Sequence, residues 1–187
     1  MTAALFIEQL LNGVQFGVML FLIASGLTLV FGIMNFINLA HGSLYMTGAF
    51  AAAATQAATG SFLAAILVGM IVAAIVGLLL EQAVLRRFYG RSHLDQVLAT
   101  FGLILIMNET TRILFGSTPL RMNLPGALSG SVEILPGVPY PAFRLAILAV
   151  GLLVAGALYV IIMKTRMGIW VRAGASNRAI AAAMGVN

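Results

Sequence analysis

Long uncharged runs alternate with short polar or basic clusters along this chain. Residues 14–34, VQFGVMLFLIASGLTLVFGIM, carry no charge. At ~1.5 Å rise per residue such a run covers about 30 Å, one hydrocarbon core. Residues 62–80 and 145–163 are equally uncharged and long enough. Residues 94–115 form a weaker span, interrupted by NETTR. Residues 44–58 are uncharged, alanine-rich and short, and complete a span only if their helix begins near Asn38. The pattern predicts an all-α fold, a polytopic transmembrane helix bundle of about five spans. Polar residues break into the apolar run at 32–43, which reads either as an inner loop or as a re-entrant or broken helix.

Composition agrees. The chain is 61% hydrophobic and 8% charged, against about a quarter charged in soluble domains. Cysteine is absent, so neither disulfides nor thiolate metal sites arise. Only His41 and His93 supply imidazole, with no carboxylate at ligand spacing, so no metal site is expected. The formal charge of +5 points to loops facing the cytoplasm, where Lys and Arg concentrate, rather than to nucleic acid. RRFYGR (86–91) and the stretch 164–178, with Lys164, Arg166, Arg172 and Arg178, mark the two cytoplasmic segments. Residues 116–142, which hold all five prolines, then lie outside, as do 58–61 and the N-terminus. Length suggests a docking or lid role for 116–142 as readily as a plain connection. MTAALFIEQLLNG lacks the basic start of a secretory signal, so the first span reads as a retained helix.

The stretch GIMNFINLAHGSLYMTGAF (32–50) raises the main question. Asn35, Asn38 and His41 recur every three residues, Tyr45 follows at four, and Ser43 lies between; in a helix these form one drifting face, extended upstream by Ser25 and Thr28. Unpaired amides in hydrocarbon are costly, so the cluster must face protein or a water-filled path. Two readings stand. Polar residues bridge helices, with small residues such as the Gly13–Gly17 pair and AFAAAATQAATG allowing close approach. Alternatively the cluster lines a substrate pathway, which the ionisable His41 favours.

Glu109 and Arg112, three apart, suit a pair on one helix face, unless the helix ends near Met107 and both lie at the interface. Glu81 falls near Arg86 and Arg87 at the inner end of its span, and Trp170 suits the inner membrane interface. Beyond Lys164 the apolar runs are too short to span. Asn177 is placed to cap a short helix, Arg178 to Met184, which Gly185 ends. Such a helix fits a groove in a cytoplasmic partner, anchored by Arg172 and Arg178, or rests on lipid headgroups.

GLTLVFGIMNFINLAHGSLYMTGAF resembles the signature near the N-terminus of bacterial ABC permeases for branched-chain amino acids, the smaller of their two paired subunits. The match runs through Gly26, Leu27, Thr28, Leu29, Phe31, Gly32, Asn38, Ala40, His41, Gly42, Tyr45, Met46, Gly48 and Ala49. It departs at Ser43, where the family often has Glu, and at Phe50, where Tyr is common. Thr165 to Gly168, Arg172-Ala173 and Asn177 are similar to the same group, and Ala181 with Gly185 fits the Ala-x-x-x-Gly core of its coupling helix. The resemblance implies that 1–187 is the N-terminal portion of a permease transmembrane domain, apparently a fragment, with 164–187 the cytoplasmic coupling segment. It implies an importer of branched-chain or related hydrophobic amino acids in the bacterial inner membrane. Partners would be a second homologous permease subunit, two cytoplasmic ATPases and an external substrate-binding protein. Asn35, Asn38, His41, Ser43 and Tyr45 would line the path; Arg172, Asn177, Arg178, Ala181 and Gly185 would meet the ATPase. Urea, short amides or aromatic acids are alternative cargoes within the family.

The chain has no Walker A loop around its one lysine, Lys164, and no nucleophile, base and orienting acid together, so neither a catalytic site nor a cofactor is expected. An ion-gradient transporter would need internal acids, for which Glu109 is the one serious candidate. A third class, a non-transporting membrane scaffold, would bind no ATPase.

Overall fold

The computed structural model describes residues 3–118 and 120–185, with the backbone alone at residues 3, 178 and 179. The chain is a helical membrane bundle of two compact units. One comprises the residues up to Met34 and those from Leu124 on; the other is Asn35–Asn123. Among the described residues four helices are long and apolar enough to cross a bilayer: α1 (Ala3–Met34), α3 (Phe62–Ala83), α4 (His93–Phe115) and α5 (Ala142–Lys164). The fifth expected span, α2 (His41–Thr59), has the length but is less apolar, being rich in alanine and threonine.

In the second unit α2 and α3 form a hairpin. Gly60 closes α2 in the left-handed conformation (φ 69°), and Ser61 caps α3 by accepting from the Ala64 amide. The two helices meet where both backbones are bare. A Cβ on Gly69 would lie 2.7 Å from the Gly48 carbonyl oxygen and 2.9 Å from the Ala52 Cβ; one on Gly48 would lie 3.1 Å from the Ala73 Cβ. Each helix thus contributes a small-xxx-small pair, Gly48/Ala52 and Gly69/Ala73. A Cβ added at Gly13 or Gly17 would meet nothing within 4 Å among the described residues, so the close approach expected there is not made within this chain's described part. α4 starts with a capping arrangement in which Ser92 accepts from the Asp95 amide. It runs unbroken through NETTR to Phe115, with Glu109 and Arg112 paired at 2.9 Å. A helix ending near Met107 is therefore ruled out.

In the first unit α1 packs against α5, with Val18 and Leu22 filling the space a side chain at Gly151 would need. The stretch after Leu124 is not only irregular connection. It folds into a 3-10 turn at Gly126–Leu128 and an antiparallel hairpin, β1 (Ser131–Leu135) with β2 (Val138–Pro141). LPGV places Pro136 and Gly137 at the two central turn positions, and Gly137 takes the positive φ (81°) that such a turn demands. β2 buries Val138 and Tyr140 and leaves Pro139 and Pro141 exposed. Arg144 donates to the Asn12 Oδ1 at 2.5 Å and stands 6.0 Å from the centre of the Tyr140 ring.

α5 ends in a tight corner. Thr165 caps α6 (Arg166–Ser176), its hydroxyl oxygen accepting from the Gly168 amide at 3.2 Å. Gly168 lies directly on the Ile162 carbonyl oxygen, leaving no room for a Cβ, and the Arg172 guanidinium donates to that same oxygen. Asn177 then separates α6 from α7 (Arg178–Ala183).

Candidate functional site

The polar cluster straddles a break, not a continuous helix. α1 stops at Met34, Asn35 adopts φ 51°, and helix resumes only at His41. A left-handed residue is disfavoured for most side chains and better tolerated by asparagine. The three-residue spacing of Asn35, Asn38 and His41 therefore does not create one face. Asn35 and Tyr45 are exposed, His41 is half-buried, and Asn38 and Ser43 are buried. Asn38 is occupied locally: its Oδ1 accepts from the Ala40 amide at 3.1 Å, and its backbone carbonyl accepts from the His41 amide. This is an Asx turn that starts α2 in place of a side-chain cap. Tyr45, 57% exposed, borders a shallow apolar groove of about 290 Å³ against α3, floored by Gly48, Ala52 and Gly69.

Ser25 and Thr28 do not extend the cluster. They donate to their own helix, to the Leu22 and Ala24 carbonyls at 2.9 and 2.8 Å. With Phe21 and Tyr159 they border a cavity of about 380 Å³ between α1 and α5.

The residue that organises the break is Gln96, which sequence reasoning missed. Its side chain is 2% exposed in the first turns of α4. Its Oε1 accepts from the Ile37 amide at 3.1 Å and lies 3.4 Å from the His93 Nδ1. Its Nε2 donates to the carbonyls of Phe88 and Arg91, both at 3.3 Å. Beside it the Phe36 and Tyr89 rings meet edge to face at 5.4 Å, and the Tyr89 hydroxyl donates to Glu81 at 2.9 Å. Glu81 thus bonds a tyrosine, not the neighbouring arginines. The break and the Arg-rich turn consequently occupy the same end of this unit. At the other end Gln56, also buried, grips the backbone of Asn123.

The C-terminal segment holds the expected short helix. The Asn177 Oδ1 accepts from the Ile180 amide at 3.0 Å, and Gly185 leaves the helix at φ 83°. Ala181 is buried, whereas Ile180 and Met184 are exposed. Arg172, expected to anchor a partner, folds back on the Ile162 carbonyl. The side chain of Arg178 lies outside the described residues. Among the described residues no three His, Cys, Asp or Glu gather as a metal site.

The described residues thus form a broken helix between apolar spans, followed by a tail of short capped helices. The profile of the branched-chain amino acid transport system permease component matches residues 9–187, and the chain belongs to that family. It is 29% identical over 193 residues to the high-affinity branched-chain amino acid transport system permease protein BraD of Pseudomonas aeruginosa, and 31% identical over 195 residues to the corresponding LivH of Escherichia coli K12. In both cases the alignment takes in 97% of this chain and 63% of the relative, so the chain spans somewhat under two thirds of their length. No solved structure gives a significant match.

Proposed function

We propose that the chain forms the N-terminal part of a permease subunit of an ABC importer for branched-chain or related hydrophobic amino acids in the bacterial inner membrane. Separate ATPases drive it, a second homologous permease stands beside it, and an external binding protein supplies the substrate. The observation that carries the reading is the tail: two short helices, each begun by a side-chain cap, following directly on the last apolar span. Residues 164–187 are then cytoplasmic and 116–142 external, because the basic residues concentrate at 86–91 and 164–178.

On this orientation the break at 35–40 sits at the cytoplasmic end, beside the Arg-rich turn. Asn35, His41 and Tyr45 are the members of the cluster with surface to offer a substrate leaving the path. Asn38 and Ser43 shape it from behind. On the tail, Ile180 and Met184 are the apolar side chains available to an ATPase groove, while Asn177 and Gly185 fix the helix that presents them. ATPase closure displaces that helix, and the spans carry the displacement to the pathway as a switch between two packings.

The test is uptake of labelled leucine into proteoliposomes containing the full-length permease pair, ATPases and binding protein. ATP-dependent uptake supports the reading. Uptake that ignores ATP but collapses with an ion gradient refutes it, and uptake of urea without leucine reassigns the cargo.

A further inference from the structure

We infer that the turn between α3 and α4 is a binding site for the phosphate-bearing headgroup of an anionic phospholipid. Arg86, Arg87 and Arg91 are all exposed there within six residues. None of the three guanidiniums makes an ion pair among the described residues. The acids within reach along the chain are committed elsewhere: Glu81 accepts from the Tyr89 hydroxyl, and Asp95 from the Ser92 hydroxyl, each at 2.9 Å. The turn therefore carries an uncompensated cluster of planar, fork-shaped donors suited to phosphate oxygens.

Position selects the lipid over a soluble anion. The turn occupies only residues 84–92, between two helices apolar enough to cross a bilayer. Each helix exposes leucines close to it: Leu78 and Leu79 before, Leu94 and Leu98 after. Nor does the turn swing free. Leu85 is buried, and Gln96 holds the carbonyls of Phe88 and Arg91. The backbone that carries the three arginines is thus held where the apolar surface of the two helices ends, which is where headgroups lie. Acyl chains against leucine and phosphate against arginine is the complementarity of one phospholipid molecule. An acidic protein surface would match the charge but not the adjoining apolar belt.

The experiment places the full chain in nanodiscs of phosphatidylcholine with phosphatidylglycerol as the minority lipid and counts retained lipids by native mass spectrometry. Wild type retains phosphatidylglycerol several-fold over phosphatidylcholine. The combined Arg86→Gln, Arg87→Gln, Arg91→Gln variant brings the ratio near unity, whereas Arg121→Gln, in the loop after α4, leaves it unchanged. Should the triple variant fail to fold, Arg87→Gln alone must lower the ratio. An unchanged ratio in a folded variant overturns the assignment. So does loss of the lipid to millimolar inorganic phosphate, which would make this a free-anion site. Loss of ATPase capture with lipid retention intact would reassign the patch to a protein interface.

Discussion

Gln56 and Asn123 are joined by two hydrogen bonds in opposite directions: the Gln56 Nε2 donates to the Asn123 carbonyl at 2.6 Å, and the Asn123 amide donates to the Gln56 Oε1 at 2.7 Å. One buried side chain thereby satisfies both polar groups of a loop backbone 67 positions away. The end of α2 and the stretch after α4 are fastened as if by a strand pairing of a single residue.

Replacing Gln56 with leucine keeps the bulk and leaves both Asn123 groups unpaired. An unsatisfied buried group costs roughly 1–3 kcal/mol. Thermal unfolding in detergent should show a lower midpoint for Gln56→Leu, and limited proteolysis should cut sooner between residues 116 and 124. An unchanged cleavage pattern would show that the clamp does not hold the loop.

The α2–α3 crossing predicts a contrast between glycines. Gly69→Leu forces a side chain into the Gly48 backbone, and overpacking of this kind typically costs about 1–3 kcal/mol. Gly17→Leu meets open space. Melting of the purified chain should therefore drop for the first variant and stay within error for the second. If both fall alike, the contact at Gly69 is not the one that sets the hairpin.

Gln96→Leu strips partners from the Ile37 amide and from the Phe88 and Arg91 carbonyls. Its cost should exceed the roughly 1–3 kcal/mol of a single orphaned group. Hydrogen exchange reads the effect directly: the Ile37 amide should lose protection while amides in the middle of α3 keep theirs. Protection retained at Ile37 would mean that the break is held by something else.

At the tail, Asn177→Ala removes the cap of α7, worth about 1 kcal/mol in typical helices. Gly185→Val forces a branched residue to φ 83°, which it resists. Both should weaken ATPase capture by the full-length permease and lower transport without altering binding-protein affinity for substrate. Undiminished capture in both variants would detach this helix from the motor.

The spans and the tail were readable because each rests on a local signal. Uncharged length marks α1, α3 and α5, a weaker apolar run marks α4, and Asn177 and Gly185 are placed as a cap and a stop should be. The Glu109–Arg112 pair follows from spacing on a helix. The site was harder because its logic is long-range. Gln56 and Gln96 look like ordinary polar residues until a backbone from elsewhere meets them. The three-residue spacing at Asn35 misled because helical periodicity means nothing across a left-handed residue. The hairpin at 131–141 did carry a signal, Pro136-Gly137 as turn residues after the β-branched Val132 and Ile134, but five prolines in one loop drew attention to irregularity instead. α6 was hidden by its short, mixed sequence, although Thr165 three residues before Gly168 has the form of a cap.

The corner at Gly168 carries a mechanical consequence. Its backbone rests on the last turn of α5, and Arg172 clasps the same carbonyl from the next turn of α6. Such a corner leaves the first turn of α6 no free space along the end of α5. Bulk inserted at that one glycine has nowhere to go except by prising the start of α6 away from the end of α5.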